Sequence, residues 1–335
     1  MQVTKINDKL LCSLIAKYGY KRVKEKINLY KKLNPSVSIS YWLPIALAQN
    51  FSFIKTKELK ECPFCHSKIL TPLGKYFYYS NVITLYECHQ CSLYFTSPRI
   101  DKSVIKTHFE FTYKDIYYFE RLRLPVFQQI LSIILEQKIK GKILDVGAAL
   151  GHFLKLCKSY GFEVIGCDIS SKACDYARKN FNLEVYNKEL RNINLSKEYF
   201  DFITIIDTLY YSENFYDDLS ISYTLLKKGG KLILRIPNKL ELIKFFLFLE
   251  KILGVRGPDT VKPIKFFNPE HIFIFSRPII KKILKSIGFS KIKILNAIPT
   301  KSKQSLIYGF LLKLVPFMNV FNIPIMPSII IIATK

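Results

Sequence analysis

Short apolar runs alternate with amphipathic stretches from residue 142 onward. Residues 142–146, 164–167, 183–186, 200–207 and 231–236 read as buried strands, each a compact run of branched or aromatic residues. Between the first two, Phe153, Leu156, Cys157 and Tyr160 recur at i, i+3, i+4 and i+7, which is one face of a helix, and Gly161 ends it. Ser170 or Ser171 caps a helix running through Ala177. Residues 217–226 form another, with Gly229–Gly230 as its stop. Ser276 caps a further helix whose Ile280, Ile283, Leu284 and Ile287 share one face, and Gly288 stops it. Two terminal strands follow near 291–295 and 329–333. Strand–helix alternation of this kind predicts an α/β architecture around a mostly parallel sheet.

The first turn carries the candidate chemistry. Gly147 and Gly151 bracket a bend where backbone passes close to a ligand or takes positive φ, and Asp168 closes the next strand. A βαβ unit binds nucleotides at that edge, through backbone N–H groups of the turn and an acid on ribose hydroxyls. The loop is spelled Asp-x-Gly-x-x-x-Gly through Asp145, Gly147 and Gly151, with Ala149 where a middle glycine could stand. An acid just before the first glycine repels a pyrophosphate and suits a cationic, methionine-type ligand.

Lys142-Ile-Leu-Asp-Val-Gly-Ala-Ala-Leu-Gly-His-Phe-Leu154 with Gly161-Phe-Glu-Val-Ile-Gly-Cys-Asp-Ile-Ser170 resembles the class I S-adenosylmethionine-dependent methyltransferases of the small-molecule type. Gly229-Gly230, the strand after it and Pro237-Asn238 repeat that family's order, and Glu270-His-Ile-Phe-Ile-Phe-Ser276 is similar to a further segment of it. The resemblance implies a doubly wound, seven-stranded Rossmann-like sheet and a class 2.1.1 activity with S-adenosylmethionine as methyl donor. It implies that Asp145, Gly147, Ala148 and Gly151 hold the methionine side. Asp168 and Ile169 would serve the ribose and its surroundings, Leu190 the adenine, and Asp207 the methionine end or the acceptor. Relatives commonly carry Glu-His after the fourth strand's loop, where this chain has Tyr210-Tyr211. Those phenols could shape an acceptor pocket, or mark a copy that binds cofactor without turnover. His271 is the candidate proton acceptor, since imidazole titrates in the right range; anchoring the preceding loop is its plainer role. His152 reads as a cofactor-pocket or surface residue, and His108 has no evident partner.

A second motif precedes the domain. Cys62-Pro-Phe-Cys65 and Cys88-His-Gln-Cys91 are two C-x-x-C knuckles with 22 residues between them. Four thiolates so spaced match a zinc ribbon with a closed, structural Zn2+ site. His66 and His89 adjoin the knuckles as alternative ligands, and residues 76–87 supply a hairpin. The segment Cys91-Ser-Leu-Tyr-Phe-Thr-Ser-Pro-Arg99 resembles the one following a four-cysteine module in methyltransferases of sugar, polysaccharide and secondary-metabolite modification. The chain thus divides into a basic helical extension (1–58), a zinc-ribbon module (59–100) and a methyltransferase domain (101–335). A helix over 121–137 precedes the first strand, and a helical lid insertion occupies about 239–270.

Composition adds bounds. The chain has 335 residues, 49% of them hydrophobic, and a formal charge of +25. That charge fits nucleic acid or an anionic membrane, but the lysines are spread along the chain, so genome-wide bias explains it as well. Residues 242–255 are apolar nearly all round, too short and too charged to span a bilayer; they form a buried lid helix or an interfacial one. No amino-terminal signal is visible, so reduced cytoplasm is the expected setting. Cys157, Cys167 and Cys174 fall on predicted core elements. The acceptor expected is a small or sugar-like molecule, lipid-linked acceptors included. RNA methylation and an inactive cofactor-binding scaffold stand as alternatives, and the oligomeric state stays open.

Overall fold

A computed structural model describes residues 21, 25, 56–78, 81–100, 113, 116–241, 271–300, 315, 318–319 and 326–335. The extension over 1–58 and the insertion over 239–270 therefore lie largely outside the described residues, as do His108 and the 242–255 helix. The chain divides into two compact units, Met1–Ile105 with Pro258–Ile272, and Lys106–Gly257 with Phe273–Lys335.

In the first unit, β1 (Thr56–Lys57) pairs antiparallel with β5 (Arg99–Ile100). Strands β2 (Leu70–Tyr78), β3 (Asn81–Cys88) and β4 (Tyr94–Ser97) form an antiparallel meander. The expected hairpin is longer than the 76–87 segment, because β2 reaches back to Leu70 and pairs it with Cys88. A bulge between Pro72 and Gly74 falls where the proline cannot donate to the ladder. Among the described residues, Ile83, Leu85, Leu93 and Phe95 are buried in this unit, each at most 2% exposed.

The second unit is built on seven strands: β6 (Lys142–Val146), β7 (Glu163–Cys167), β8 (Glu184–Tyr186), β9 (Phe200–Ile206), β10 (Leu226–Pro237), β12 (Ser290–Asn296) and β13 (Ser328–Thr334). A short β11 (Phe273–Ile274) precedes β12 in the chain. Across the sheet the order is β12-β13-β10-β9-β6-β7-β8. The strands from β10 to β8 run parallel, and β13 lies antiparallel between β10 and β12. Burial on both faces explains the unbroken apolar spelling of Ile329–Ala333 in β13 and the mostly apolar spelling of β9, where Asp201 and Thr204 are the exceptions.

The chain leaves β6 toward β7 and β8, then returns to the other side of β6 as β9. The connections after β6 and β9 thus diverge, which opens a crevice at the carboxyl ends of these two strands. Helices α1 (Leu124–Leu135), α2 (His152–Ser159), α3 (Ser171–Phe181), α4 (Phe215–Leu225) and α5 (Arg277–Ile287) accompany the sheet. Ser170 caps α3 by accepting from the Ala173 amide, and Ser276 caps α5 by accepting from Ile279. Gly288 closes α5 in the left-handed region.

Two expected boundaries move. The helix expected over 121–137 is instead a wide turn over Tyr118–Leu122 followed by α1. The Arg123 amide donates five residues back to the Tyr118 carbonyl, and Pro125 in the first turn of α1 lacks an N–H, so the helix starts afresh there. Gly229–Gly230 does not stop α4. That helix ends at Leu225 and the chain enters β10 directly, with Gly229 at φ +77° where the register shifts between Leu226 and Lys231.

Gly151, at φ +79°, is where α2 starts. A Cβ there would lie 2.8 Å from both the Ala177 Cβ and a Leu183 methyl, so α2 and α3 pack this closely only around glycine. Gly151→Ala is expected to destabilise the protein by about 2 kcal/mol through overpacking and left-handed strain. An unchanged urea midpoint would contradict that.

Candidate functional site

The crevice is lined from the carboxyl ends of β6, β7 and β9. After β6 the chain turns sharply, with the Gly147 and Ala148 amides donating to the Cys167 carbonyl at 2.8 and 3.0 Å. Gly147 has φ +81° and Ala149 φ +49°, so the loop rests on two left-handed residues. Ala149 takes this conformation despite its Cβ, and its amide is thereby aimed at Asp168, 2.9 Å from Oδ2. A Cβ on Gly147 would fall 2.2 Å from the Thr208 hydroxyl, so this glycine lets the turn after β6 meet the loop after β9.

Asp168 is buried, 6% exposed. Its Oδ1 accepts from the Ser170 amide at 2.9 Å, and its Oδ2 from the Ala149 amide and, at 3.3 Å, from the Tyr113 hydroxyl. Burial pushes its carboxyl up, against the pull of those donors. A hydroxyl donating to this carboxylate is the kind of contact a ribose hydroxyl makes. Asn187 donates to the Asp168 carbonyl at 3.1 Å and fixes the start of the following loop. Leu190 is buried on a single turn, Leu190–Asn192, and Ile169 is half-buried beside Asp168.

Asp145 is 3% exposed and accepts from the Thr204 hydroxyl at 2.6 Å. Burial raises its carboxyl to about 7, with Thr204 and Arg123 pulling the other way and Asp168 adding to the rise. A buried acid so poised suits a cationic ligand, whose charge would restore its ionisation. The linkage has a definite sign. The folded state holds the proton up to about pH 7, whereas the unfolded carboxyl loses it near 3.8, so stability falls as pH rises between those values and stays lower above them. Asp145→Asn is therefore expected to stabilise the free protein at pH 8 by as much as about 4 kcal/mol, but little at pH 4. Urea unfolding of the two proteins at both pH values checks this, and an equal difference at the two would contradict it.

The predicted acceptor residues sit past β9. Asp207 follows the strand at φ +56° and accepts from Arg123 at 2.7 Å and from Arg235. Tyr210 and Tyr211 lie on a short turn, Leu209–Tyr211, with ring centroids 4.6 Å apart. Tyr210 is buried, and burial, then Asp207 and Tyr211, push its phenol well above the usual range. It stays protonated near neutrality and can donate. His271, 7% exposed, falls in the first unit, at the point where the chain passes into the second at Phe273.

The ring of His152 is not on the surface. It lies 5.0 Å from Phe181, 6.0 Å from Tyr176 and 6.3 Å from Phe119, centroid to centroid, and burial lowers its basicity. Sequence reasoning missed Tyr113, Arg123, Thr204 and Arg235. Arg235 did leave a signal, being a charge set inside the apolar run Leu232–Ile236. Tyr113 left none, because an aromatic connection reads as a linker.

In the first unit the two knuckles share one backbone pattern. Cys62 and Cys88 each accept an amide from four residues on, His66 at 3.0 Å and Ser92 at 2.8 Å, and each donates to the carbonyl five residues on, both at 2.9 Å. His66 and Ser92 both carry left-handed φ, +60° and +58°. The sulfurs of Cys62, Cys65, Cys88 and Cys91 all lie within 4.8 Å of one another, with Cys62–Cys91 at 3.6 Å and Cys65–Cys88 at 3.4 Å. A tetrahedral ion with metal–sulfur bonds of about 2.3 Å spaces its sulfurs roughly 3.8 Å apart, so this donor set fits one. The His66 ring turns to Glu61 at 3.2 Å, and His89 is exposed. Neither joins the cysteine cluster.

Residues 118–294 match the methyltransferase-domain family. An uncharacterized protein of Methanocaldococcus jannaschii is 28% identical over 155 residues, 46% of this chain and 67% of that protein. Among solved structures, an S-adenosylmethionine-dependent methyltransferase of Thermotoga maritima is 19% identical, covering 69% of this chain and 98% of its own, at a TM-score of 0.47. One from Archaeoglobus fulgidus is 22% identical, covering 66% and 100%, at 0.44. No helix among the described residues is long and apolar enough to cross a membrane.

Proposed function

The chain belongs to the methyltransferase-domain family, and on that premise we propose that it moves the methyl group of S-adenosylmethionine to a small-molecule or sugar-like acceptor, lipid-linked acceptors included. Polysaccharide or secondary-metabolite modification is the setting this reading favours. The observation that carries the donor half is Asp168, a buried carboxylate taking loop amides on both oxygens and a hydroxyl beside them.

Asp168 would hold the ribose hydroxyls and Asp145 the cationic methionine end, with the Gly147–Gly151 turn and Ala148 bringing backbone close. Ile169 would border the ribose, and Leu190 the adenine. When bound, the donor supplies a methyl group activated by its sulfonium for in-line displacement. The protein's part is then to orient the acceptor and to take its proton. Tyr210 and Tyr211 would orient the acceptor by hydrogen bonding and stacking, and His271 would accept the proton. In the first unit the four cysteines would hold Zn2+ as a structural staple, with no open position for chemistry.

Incubation with methyl-labelled donor against nucleotide sugars, extracted glycolipids and total RNA tests the acceptor class. Label is expected in the sugar or glycolipid fraction; label in RNA alone would overturn that assignment. On the labelled acceptor, His271→Ala is expected to lower kcat at least about a hundredfold with donor affinity unchanged. Full turnover would reduce His271 to an anchor.

A further inference from the structure

Past β9 two guanidiniums share one carboxylate. Among the described residues Asp207 is the carboxylate in contact with both Arg123 and Arg235, whose side chains are 11% and 4% exposed, while its own is 12% exposed. Asp145 acts on Arg123 as well, but its buried carboxyl is raised to about 7. Arg235 also donates from Nη2 to the Ile298 carbonyl at 3.2 Å. The Nε groups of both arginines are buried and make no hydrogen bond among the described residues. Two guanidiniums on one carboxylate leave a desolvated positive charge, a costly arrangement unless an anion completes it. Arginine's planar fork is the group best shaped to grip a carboxylate or phosphate through two donors.

Placement says whose anion this is. Asp145 stands on β6 and Asp168 after β7, so the donor's half of the crevice lies over those strands. Asp207 follows β9, Arg235 is on β10 and pairs with Ile206 and Ile330, and Ile298 follows β12. Asp207, Arg235 and Ile298 therefore sit over β9, β10 and beyond, on the opposite side of the switch point, while Arg123, at the start of α1, bridges toward Asp145 on β6. Buried Tyr210, a phenol donor, follows Asp207 by three residues.

We infer that the methyl acceptor is an anion, bearing a carboxylate or phosphate ester that Arg123 and Arg235 hold while Asp207 keeps the two guanidiniums aligned. This rests on the donor reading for the β6–β7 side. It narrows the acceptor from any small or sugar-like molecule to acidic ones: sugar acids, sugar phosphates, or phosphate-linked lipids. Arg123 and Arg235 are specificity residues in this account, and Asp207 is a positioning residue rather than a contact to the donor.

The test uses the intact chain loaded with S-adenosylhomocysteine. The arginine Nε–H signals are followed by nitrogen-15 NMR while acetate or inorganic phosphate is added at constant ionic strength. Saturable shifts at Arg123 and Arg235 in the millimolar range are expected, and the stronger of the two anions identifies the group on the acceptor. Asp207→Asn should tighten that anion about tenfold by removing its competitor, and Arg235→Lys should weaken it about tenfold. A purely structural cluster would not tighten when its carboxylate is lost. Absence of any shift in the wild-type protein would overturn the inference. So would an Arg235→Lys protein that loses affinity for S-adenosylhomocysteine but keeps it for 5′-methylthioadenosine, since the anion would then be the donor's own carboxylate. If the wild-type protein fails to bind S-adenosylhomocysteine, the donor reading falls, while the anion titration of the free protein still decides the arginine site.

Discussion

Asp168→Ala is expected to lose at least about a hundredfold in affinity for S-adenosylhomocysteine, because two charge-assisted hydrogen bonds from ribose hydroxyls disappear together. The same substitution leaves the Ala149 and Ser170 amides without their buried acceptor, so a fall in stability accompanies it. Asp168→Asn separates the two effects. Its amide oxygen still accepts one hydrogen bond, so stability should recover in part while the affinity stays low. Circular dichroism establishes that each variant is folded before calorimetry is read. An Asp168→Ala protein binding with wild-type affinity would remove the ribose assignment.

Metal removal should have the other large effect. Among the described residues of the first unit, Ile83, Leu85, Leu93 and Phe95 are buried, as are Cys62, Cys88 and Cys91. A structural zinc ion contributes on the order of 10 kcal/mol to such a module. Chelation, or Cys62→Ser with Cys88→Ser, is expected to raise hydrogen exchange across β2, β3 and β4 to that of an open chain. The sheet of the second unit should keep its protection. Metal analysis should find one zinc per chain. A metal-free preparation with the same exchange pattern would contradict the staple.

The parts that could be read from residues alone were those set by backbone period and turn chemistry. The order of β6 to β10 followed from short apolar runs separated by amphipathic stretches. The caps at Ser170 and Ser276 followed from hydroxyls placed just before helices. Gly147, Gly151 and Asp168 were legible because positive φ and close approach leave a mark in residue type. The cysteine pairs were legible for the same reason, although the left-handed His66 and Ser92 behind them were not, since neither is a glycine.

What stayed hidden depends on long-range placement. Tyr113 reaches Asp168 across 55 positions, and Arg123 reaches Asp207 across 84, distances over which no local pattern operates. The spelling of β9 gave no hint that its Thr204 would satisfy Asp145. Asp207 was legible as a residue of the methionine end or the acceptor side from its place at a strand end, but the two arginines that engage its carboxylate, from a helix start and a neighbouring strand, were not.

Calorimetric titration of the wild-type, zinc-replete chain with S-adenosylhomocysteine tests the central claim most directly. One site per chain is expected, with a dissociation constant on the order of micromolar. At pH 8 it should be tighter than at pH 6, because the α-ammonium of the ligand's homocysteine end needs the Asp145 carboxylate ionised, and burial raises that carboxyl to about 7. No saturable heat at either pH, from protein shown to be folded, would contradict the assignment of the β6–β7 edge as a methyl-donor site.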